Sequence, residues 1–335
     1  MKVAVLSPVA WRTPPRHYGP WEQVGSNIAE GLIKRGVDVT LFATGDSITA
    51  GKLDFVCDKG YEEDRERDAK VLECLHISNL MEKASSFDLI HNNFDFLPLT
   101  YSGLIKTPLI TTIHGFSSSK IIPVYKKYNK TGHYVSISNS DRSPELAYMA
   151  TVYNGLDPKC FDFNDQPRDY LLYFGRIHPH KGTAEAIAIA KKSGRKLLIS
   201  GIVQDERYFK EKIEPQLDEQ IQYLGSAGPD KRNELLGNAC ALLHPISFEE
   251  PFGLSVAEAM LCGTPVIAFN RGSMPELVKH RETGFLVYNV DEAVEAVDQI
   301  QTLKRRDCYN WAIAKFSCDK MVDDYLNLYD QILGA

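Results

Sequence analysis

The sequence predicts an α/β protein made of two tandem, doubly wound parallel-sheet domains with an interdomain cleft. Three observations carry this. Short apolar runs rich in Val, Ile and Leu alternate with helix-length amphipathic stretches, the pattern of a parallel sheet covered by helices on both faces. The series stops near Asn154-Gly155-Leu156-Asp157, where Asn, Asp and proline accumulate, and then begins again, so the two halves match in pattern and each reads as Rossmann-like. With 335 residues, 44% of them hydrophobic, the chain can bury two cores.

In the first series, residues 2–6 read as a buried strand, 21–35 as a helix closed by Gly36, and 37–43 as the next strand. Segment 62–84 is helical and highly charged, and 88–91, 109–113 and 134–137 are further short strands, giving a domain over 1–157. The stretch up to Arg168 suits a linker. The second series has strands at 170–174, 196–200, 220–224, 241–243 and 265–268, with helices at 183–193, 229–237 and 254–262, in a domain over 158–308. Residues 309–335 have apolar positions at helical spacing and no strand after them, so they are expected to be closing helices that pack back across the domain junction. Open parallel sheets bind ligands beyond the carboxyl ends of their strands, which directs attention to the loops there.

Composition excludes several classes. The formal net charge is -6, and no Lys/Arg stripe interleaves with aromatics, which argues against a nucleic-acid partner. Lys126, Lys127 and Lys130 form the one candidate for peripheral membrane contact, and a solvated helix face explains them better. The seven cysteines are scattered with no C-x-x-C pair, the N-terminal apolar run is too short for a signal-peptide core, and no run of eighteen apolar residues occurs. A cytoplasmic protein with reduced thiols is expected. The first strand is followed by proline rather than G-x-G-x-x-G, and neither a G-x-S-x-G elbow nor a Walker loop is present.

The run from His244 to Ala268 holds the densest chemistry. A strand ends near His244, a loop with Pro245, Pro251 and Gly253 follows, and a helix starts near Leu254. The free amides of Gly253, Leu254 and Ser255 at that helix start make an anion site suited to a phosphate or diphosphate. Glu250 precedes the amides and Glu258 lies about one turn inside the helix, so both can face one crevice and accept paired hydroxyls of a sugar or ribose. A helix cap and a surface ion pair are equally compatible with this spacing. At the end of the first strand of the second half, Arg176 and Lys181 place two cations beside the carboxyl edge, where they can neutralise a leaving diphosphate. His178 and His180 flank a proline, but no carboxylate or cysteine nearby completes a metal site.

In the first half, His114 ends the strand 109–113 at its tip, as a sugar contact or a packed histidine. Asn93 and Asp95 follow the strand ending at His91 and are candidate acceptor contacts. The loop from Pro8 to Pro20 is long enough to be functional and carries Trp11, Tyr18 and Gly19, with Tyr18 a candidate for stacking on an acceptor.

Over nearly its whole length the chain resembles the retaining glycosyltransferases of family 4, which have the two-domain GT-B fold. The resemblance rests on Tyr153-Asn-Gly-Leu-Asp157, Gly175-Arg176 with Lys181-Gly182, Leu224-Gly225, and above all Glu250-Pro-Phe-Gly-Leu-Ser-Val-Ala-Glu258 followed by Ala-Met-Leu-Cys-Gly-Thr-Pro-Val. It implies an acceptor-side first domain and a second domain that binds a nucleotide-sugar donor. Glu250 would contact the transferred sugar, Glu258 the ribose, and Arg176, Lys181 and the amides of Leu254 and Ser255 the diphosphate. His114 would lie near the sugar, and Gly201 to Gln204 with Gly225-Ser226 would border the base. No cofactor or metal is implied. The donor implied is a UDP-sugar, UDP-glucose foremost, with GDP-mannose as its rival, and the acceptor is an unidentified hydroxyl of a saccharide, a lipid-linked molecule or a small molecule. At Tyr18-Gly-Pro-Trp-Glu22 the chain departs from the pair of glycines many relatives carry: Pro20 removes an N–H, so a donor contact there falls to Gly19. A glycoside phosphorylase or a sugar-nucleotide epimerase would share the fold, and a non-catalytic nucleotide-sugar-binding protein is the alternative of another class.

Overall fold

The computed structural model describes residues 1–16, 19–64, 66–116 and 118–334. Tyr18, a candidate acceptor contact, lies outside them. The chain divides into two units, Met1–Leu156 with Cys318–Ala335, and Asp157–Ser317.

The first unit is a seven-stranded parallel sheet of β1 (Lys2–Leu6), β2 (Asp38–Phe42), β3 (Lys52–Asp54), β4 (Leu89–Asn92), β5 (Leu109–Ile113), β6 (His133–Ser136) and β7 (Ala150–Thr151), in the order β3-β2-β1-β4-β5-β6-β7. β1, β4 and β5 are almost wholly buried, as expected of strands covered on both faces. The strand order reverses between β1 and β4, so the loops after these strands border the switch point where such sheets bind ligands. The charged helix expected from residue 62 starts at Ala69 and runs to Glu82, because the Asp68 side chain accepts the Val71 N–H and caps it there. Edge strands β3 and β7 are only three and two residues long, too short for periodicity to show.

The second unit has six parallel strands, β8 (Leu171–Phe174), β9 (Leu197–Ser200), β10 (Ile221–Tyr223), β11 (Ala241–His244), β12 (Val266–Phe269) and β13 (Gly284–Val287), in the order β10-β9-β8-β11-β12-β13. Its order reverses between β8 and β11, whose loops carry Arg176, Lys181 and Glu250. Where the chain enters β11 and β12, at the opposite edge of the sheet from these loops, lies Arg305, 9% exposed, whose guanidinium donates to the carbonyls of Asn164, Gly237 and Ala239 and to Thr264 Oγ1 at 2.6–2.8 Å.

The two closing helices part company. Arg305–Phe316 stays with the second unit, and the return to the first begins at Cys318 rather than at residue 309. The helix Cys318–Leu333 packs on the helix Pro20–Lys34, where a Cβ at Gly31 would collide with Val322, so glycine permits the approach. Tyr329 OH lies 2.5 Å from His91 Nδ1, His91 Nε2 is 2.8 Å from Thr112 Oγ1, and Thr112 is 2.7 Å from Tyr325 OH. This buried chain of polar groups joins the last helix to β4 and β5. Among the described residues no helix is long and apolar enough to cross a membrane. Of the surface lysines, Lys126 pairs with Glu145 at 2.6 Å and Lys127 lies over Tyr128.

Candidate active site

The helix Leu254–Leu261 begins at Gly253, whose φ of 93° and closeness to Met274 exclude a side chain. The Val256 N–H turns back to the Gly253 carbonyl at 3.0 Å, leaving the amides of Leu254 and Ser255 at the open, positive end of the helix. Segment 272–273 fixes the loop before it. Ser273 N–H donates to the Glu250 carbonyl at 2.9 Å, Ser273 Oγ donates to the Phe252 carbonyl at 2.5 Å, and a Cβ at Gly272 would collide with the Glu250 backbone.

Glu250 is thereby held 2.5 Å from Lys181 Nζ and 3.7 Å from His244 Nε2, both at its Oε2. Burial favours the neutral acid, but His244 and Lys181 outweigh burial and keep the carboxyl ionised, with a pKa of about 2. Lys181 reaches it because the β8 and β11 loops press together. The Ser247 N–H donates to the His180 carbonyl at 2.9 Å, and a Cβ at Gly182, where φ is 77°, would collide with the Pro245 carbonyl. The Lys181 ammonium also lies 4.7 Å from the centre of the Phe248 ring.

Glu258 takes a different partner. Its Oε1 accepts from Arg232 Nη1 at 3.1 Å, and burial raises its pKa against the opposing charge of Arg232. Arg176 donates from Nη1 to Gln204 Oε1 at 2.7 Å and, with His178, His180, Lys181, Gln204 and Phe248, lines a cavity of about 220 Å³. Gly201 sits against the Gly175 carbonyl so closely that a Cβ would overlap it, and its N–H donates to the Gly225 carbonyl at 3.0 Å. Ser226 is exposed in the following loop. The structure thus joins Lys181 to Glu250 and puts Arg176 in the same cavity as Lys181, while Arg176 bonds neither glutamate. His178 Nδ1 accepts the His180 N–H at 3.2 Å, and no group of three or more metal-capable side chains occurs among the described residues.

In the first unit, His114 Nε2 donates to Asn93 Oδ1 at 3.1 Å, its ring stacks on Trp21 with centroids 5.7 Å apart, and burial lowers its pKa to about 3. The imidazole is therefore neutral near pH 7, with Nδ1 left as an acceptor. Asn93 and Asp95, expected to touch an acceptor, have internal partners. Asn93 is completely buried behind His114, and Asp95 Oδ1 accepts from Tyr125 OH at 2.7 Å. Gly19 precedes the helix Pro20–Lys34, and a Cβ there would crowd Pro15 and the buried Glu22 carboxylate, which accepts the Trp11 N–H at 3.3 Å.

Sequence reasoning missed His244, Trp21 and Arg232 as site residues. His244 stands one residue before a proline-rich loop and carries no spacing signal of its own. Arg232 is one charge in a polar helix, Pro229–Asn238, with nothing to mark it from its neighbours.

Comparison with known proteins agrees with this geometry. Residues 162–313 match the model of the family described as glycosyl transferases group 1. The uncharacterized glycosyltransferase MJ1607 of Methanocaldococcus jannaschii is 24% identical over 98% of both chains. Among solved structures, AviGT4, a glycosyltransferase involved in avilamycin A biosynthesis, superposes with a TM-score of 0.75 at 22% identity, covering 100% of this chain and 98% of that one. HepE of Anabaena, solved in complex with UDP-glucose, gives a TM-score of 0.71 at 18% identity over 99% of this chain and 100% of its own. With two switch-point sheets and structural neighbours that match it over its full length, the chain has the α/β GT-B fold, and its second unit carries the likeness to the group 1 glycosyl transferases.

Proposed function

We propose that this chain is a retaining hexosyltransferase of family 4, acting in the cytoplasm on a UDP-sugar, UDP-glucose foremost, and an acceptor hydroxyl. One observation carries the reading: Glu250 and Glu258 flank the open amides of Leu254 and Ser255, and each has one oxygen held by a cation, Lys181 or Arg232. The diphosphate would lie on those amides beside Arg176 and Lys181. Glu250 would orient the sugar hydroxyls, Glu258 would take the ribose, and His114 Nδ1 would accept from a sugar hydroxyl. Loops 201–204 and 225–226 would border the base.

In the reaction, the acceptor oxygen bonds to the anomeric carbon on the face from which the diphosphate departs. The bond from that carbon to the β-phosphate oxygen breaks, and the acceptor proton passes to the departing diphosphate. Glu250 is then an orienting and charge-stabilising group rather than a covalent nucleophile. Arg176, Lys181 and the helix amides supply the positive charge, so no metal is needed in this proposal.

The UDP-glucose complex of HepE supports a uridine donor, with GDP-mannose as the rival. Calorimetric titration with UDP and GDP decides the base, and NMR of the product formed from the selected donor decides the stereochemistry. An α-linked donor giving an α-linked product is expected. A β-linked product overturns retention, and sugar 1-phosphate consumption without nucleotide replaces the reading with a phosphorylase.

A further inference from the structure

We infer that Arg232 is a positioning residue for Glu258, turning the glutamate so that one oxygen is left to read the ribose of the nucleotide. The inference rests on the role proposed above for Glu258 and adds a residue whose chemistry lies on another helix.

Arg232 projects from the helix Pro229–Asn238, whose composition is that of a solvated surface. An arginine on such a helix normally ends in water, free to swing. Here the guanidinium side chain is 22% exposed and lies 4.7 Å from the centre of the Phe161 ring, in the segment that leads into the second unit. The flat guanidinium on a flat ring restricts the plane in which its donors point. Nη1 donates to Glu258 Oε1 at 3.1 Å. Nε is buried without a hydrogen-bond partner, and Glu258 is the one side-chain or carbonyl acceptor the guanidinium has among the described residues. A partly buried arginine with one protein acceptor among the described residues is placed for that acceptor.

The effect on Glu258 follows from its own surroundings. Its side chain is 13% exposed, and burial pushes the carboxyl toward the neutral form. Arg232 does two things against this: its charge opposes the effect of burial, and it occupies Oε1, so the acceptor capacity of Oε2 remains for ribose hydroxyls. Without Arg232 nothing opposes the effect of burial on the carboxyl, which also gains rotational freedom, so a fixed acceptor becomes a mobile one. The stack on Phe161 explains why an arginine serves here: a lysine would bring the charge without the plane.

The experiment is calorimetric titration of wild type, Arg232→Met and Arg232→Lys with UDP, GDP and their 2′-deoxy and 3′-deoxy forms. Wild type is expected to prefer the ribose form of whichever base it binds by about tenfold, the loss of a hydrogen bond to a charged group. Arg232→Met should bind ribose and deoxyribose forms within about twofold of each other while keeping wild-type affinity for the deoxy forms, and Arg232→Lys should recover part of the preference. A loss of structure would lower affinity for both forms alike, so the preference itself separates positioning from folding. If Arg232→Met does not fold, Arg232→Gln takes its place with the same two outcomes. A variant that keeps the full preference overturns the role of Arg232 and leaves the ribose reading of Glu258 standing. Absence of any preference in wild type overturns both.

Discussion

Lys181 Nζ lies 2.5 Å from Glu250 Oε2, so the residue expected to neutralise the donor's diphosphate is, in the free protein, the counter-ion of the residue expected to orient the sugar. Both groups are largely buried, with side-chain exposures of 16% and 12%. Donor binding would then exchange one anion for another at Lys181 rather than expose an isolated charge, and Glu250 would be freed to meet the sugar as the diphosphate arrives.

Removing the negative charge at that pair should stop transfer while sparing nucleotide binding. Glu250→Gln is expected to lower kcat by about 10²- to 10³-fold, with affinity for free nucleotide diphosphate within about threefold of wild type. Initial rates and titration check this. Transfer at the wild-type rate would remove Glu250 from any essential role.

The pH dependence of the pair has a defined sign. The Glu250 carboxyl is depressed to about 2, so it stays ionised throughout the working range and gives wild type no acid limb. In Lys181→Met its burial is opposed by His244 alone, the pKa rises, and activity should fall as pH drops through the new value. Rates between about pH 4 and 8 for both proteins test it.

Glu22 should make the first unit less stable at neutral than at acid pH. Burial raises its carboxyl to about 7, above the unfolded value, so the folded form holds the proton more tightly. Stability is greatest at low pH and declines as pH rises through the unfolded value toward about 7. Glu22→Gln should remove this decline and stabilise the protein at pH 8 by roughly 1–3 kcal/mol, read as a higher Tm there and a flatter Tm against pH.

Arg305→Met should destabilise the second unit by about 3 kcal/mol, since it strips donors from two buried carbonyls and one half-buried one. Urea unfolding measures the loss. An unchanged midpoint would show that water reaches those carbonyls.

Gly31→Leu should loosen the last helix, because its side chain would fill the space Val322 occupies. Limited proteolysis is expected to release a C-terminal fragment cut near Cys318 faster than in wild type, with the second unit resistant.

Much of this molecule was legible before any coordinates, and the reasons are physical. Buried parallel strands such as β1, β5 and β8 are short runs dominated by aliphatic, aromatic and Thr residues, so composition alone marks them. β13 escaped because its four residues, Gly-Phe-Leu-Val, follow a turn and open with glycine. At the site, Glu250, Glu258 and the Gly253 turn share one contiguous segment and announce each other. The partners of the two carboxylates do not: Lys181 is 69 residues away and Arg232 is 26, brought in by loop contacts and a neighbouring helix that no spacing rule describes. Nor does any spacing rule show that Asn93 Oδ1 accepts from His114 and Asp95 Oδ1 from Tyr125, since both residues read from the sequence only as polar groups after a strand end.

The return of Cys318–Leu333 to the first sheet makes the second unit an insertion within the first. Residues 157–317 can be excised from the gene as one continuous cassette, whereas the first unit exists only when two distant stretches of polypeptide are both present. A nonsense codon at position 318 would therefore strike the unit that carries His114, and leave unbroken the stretch that carries the two glutamates.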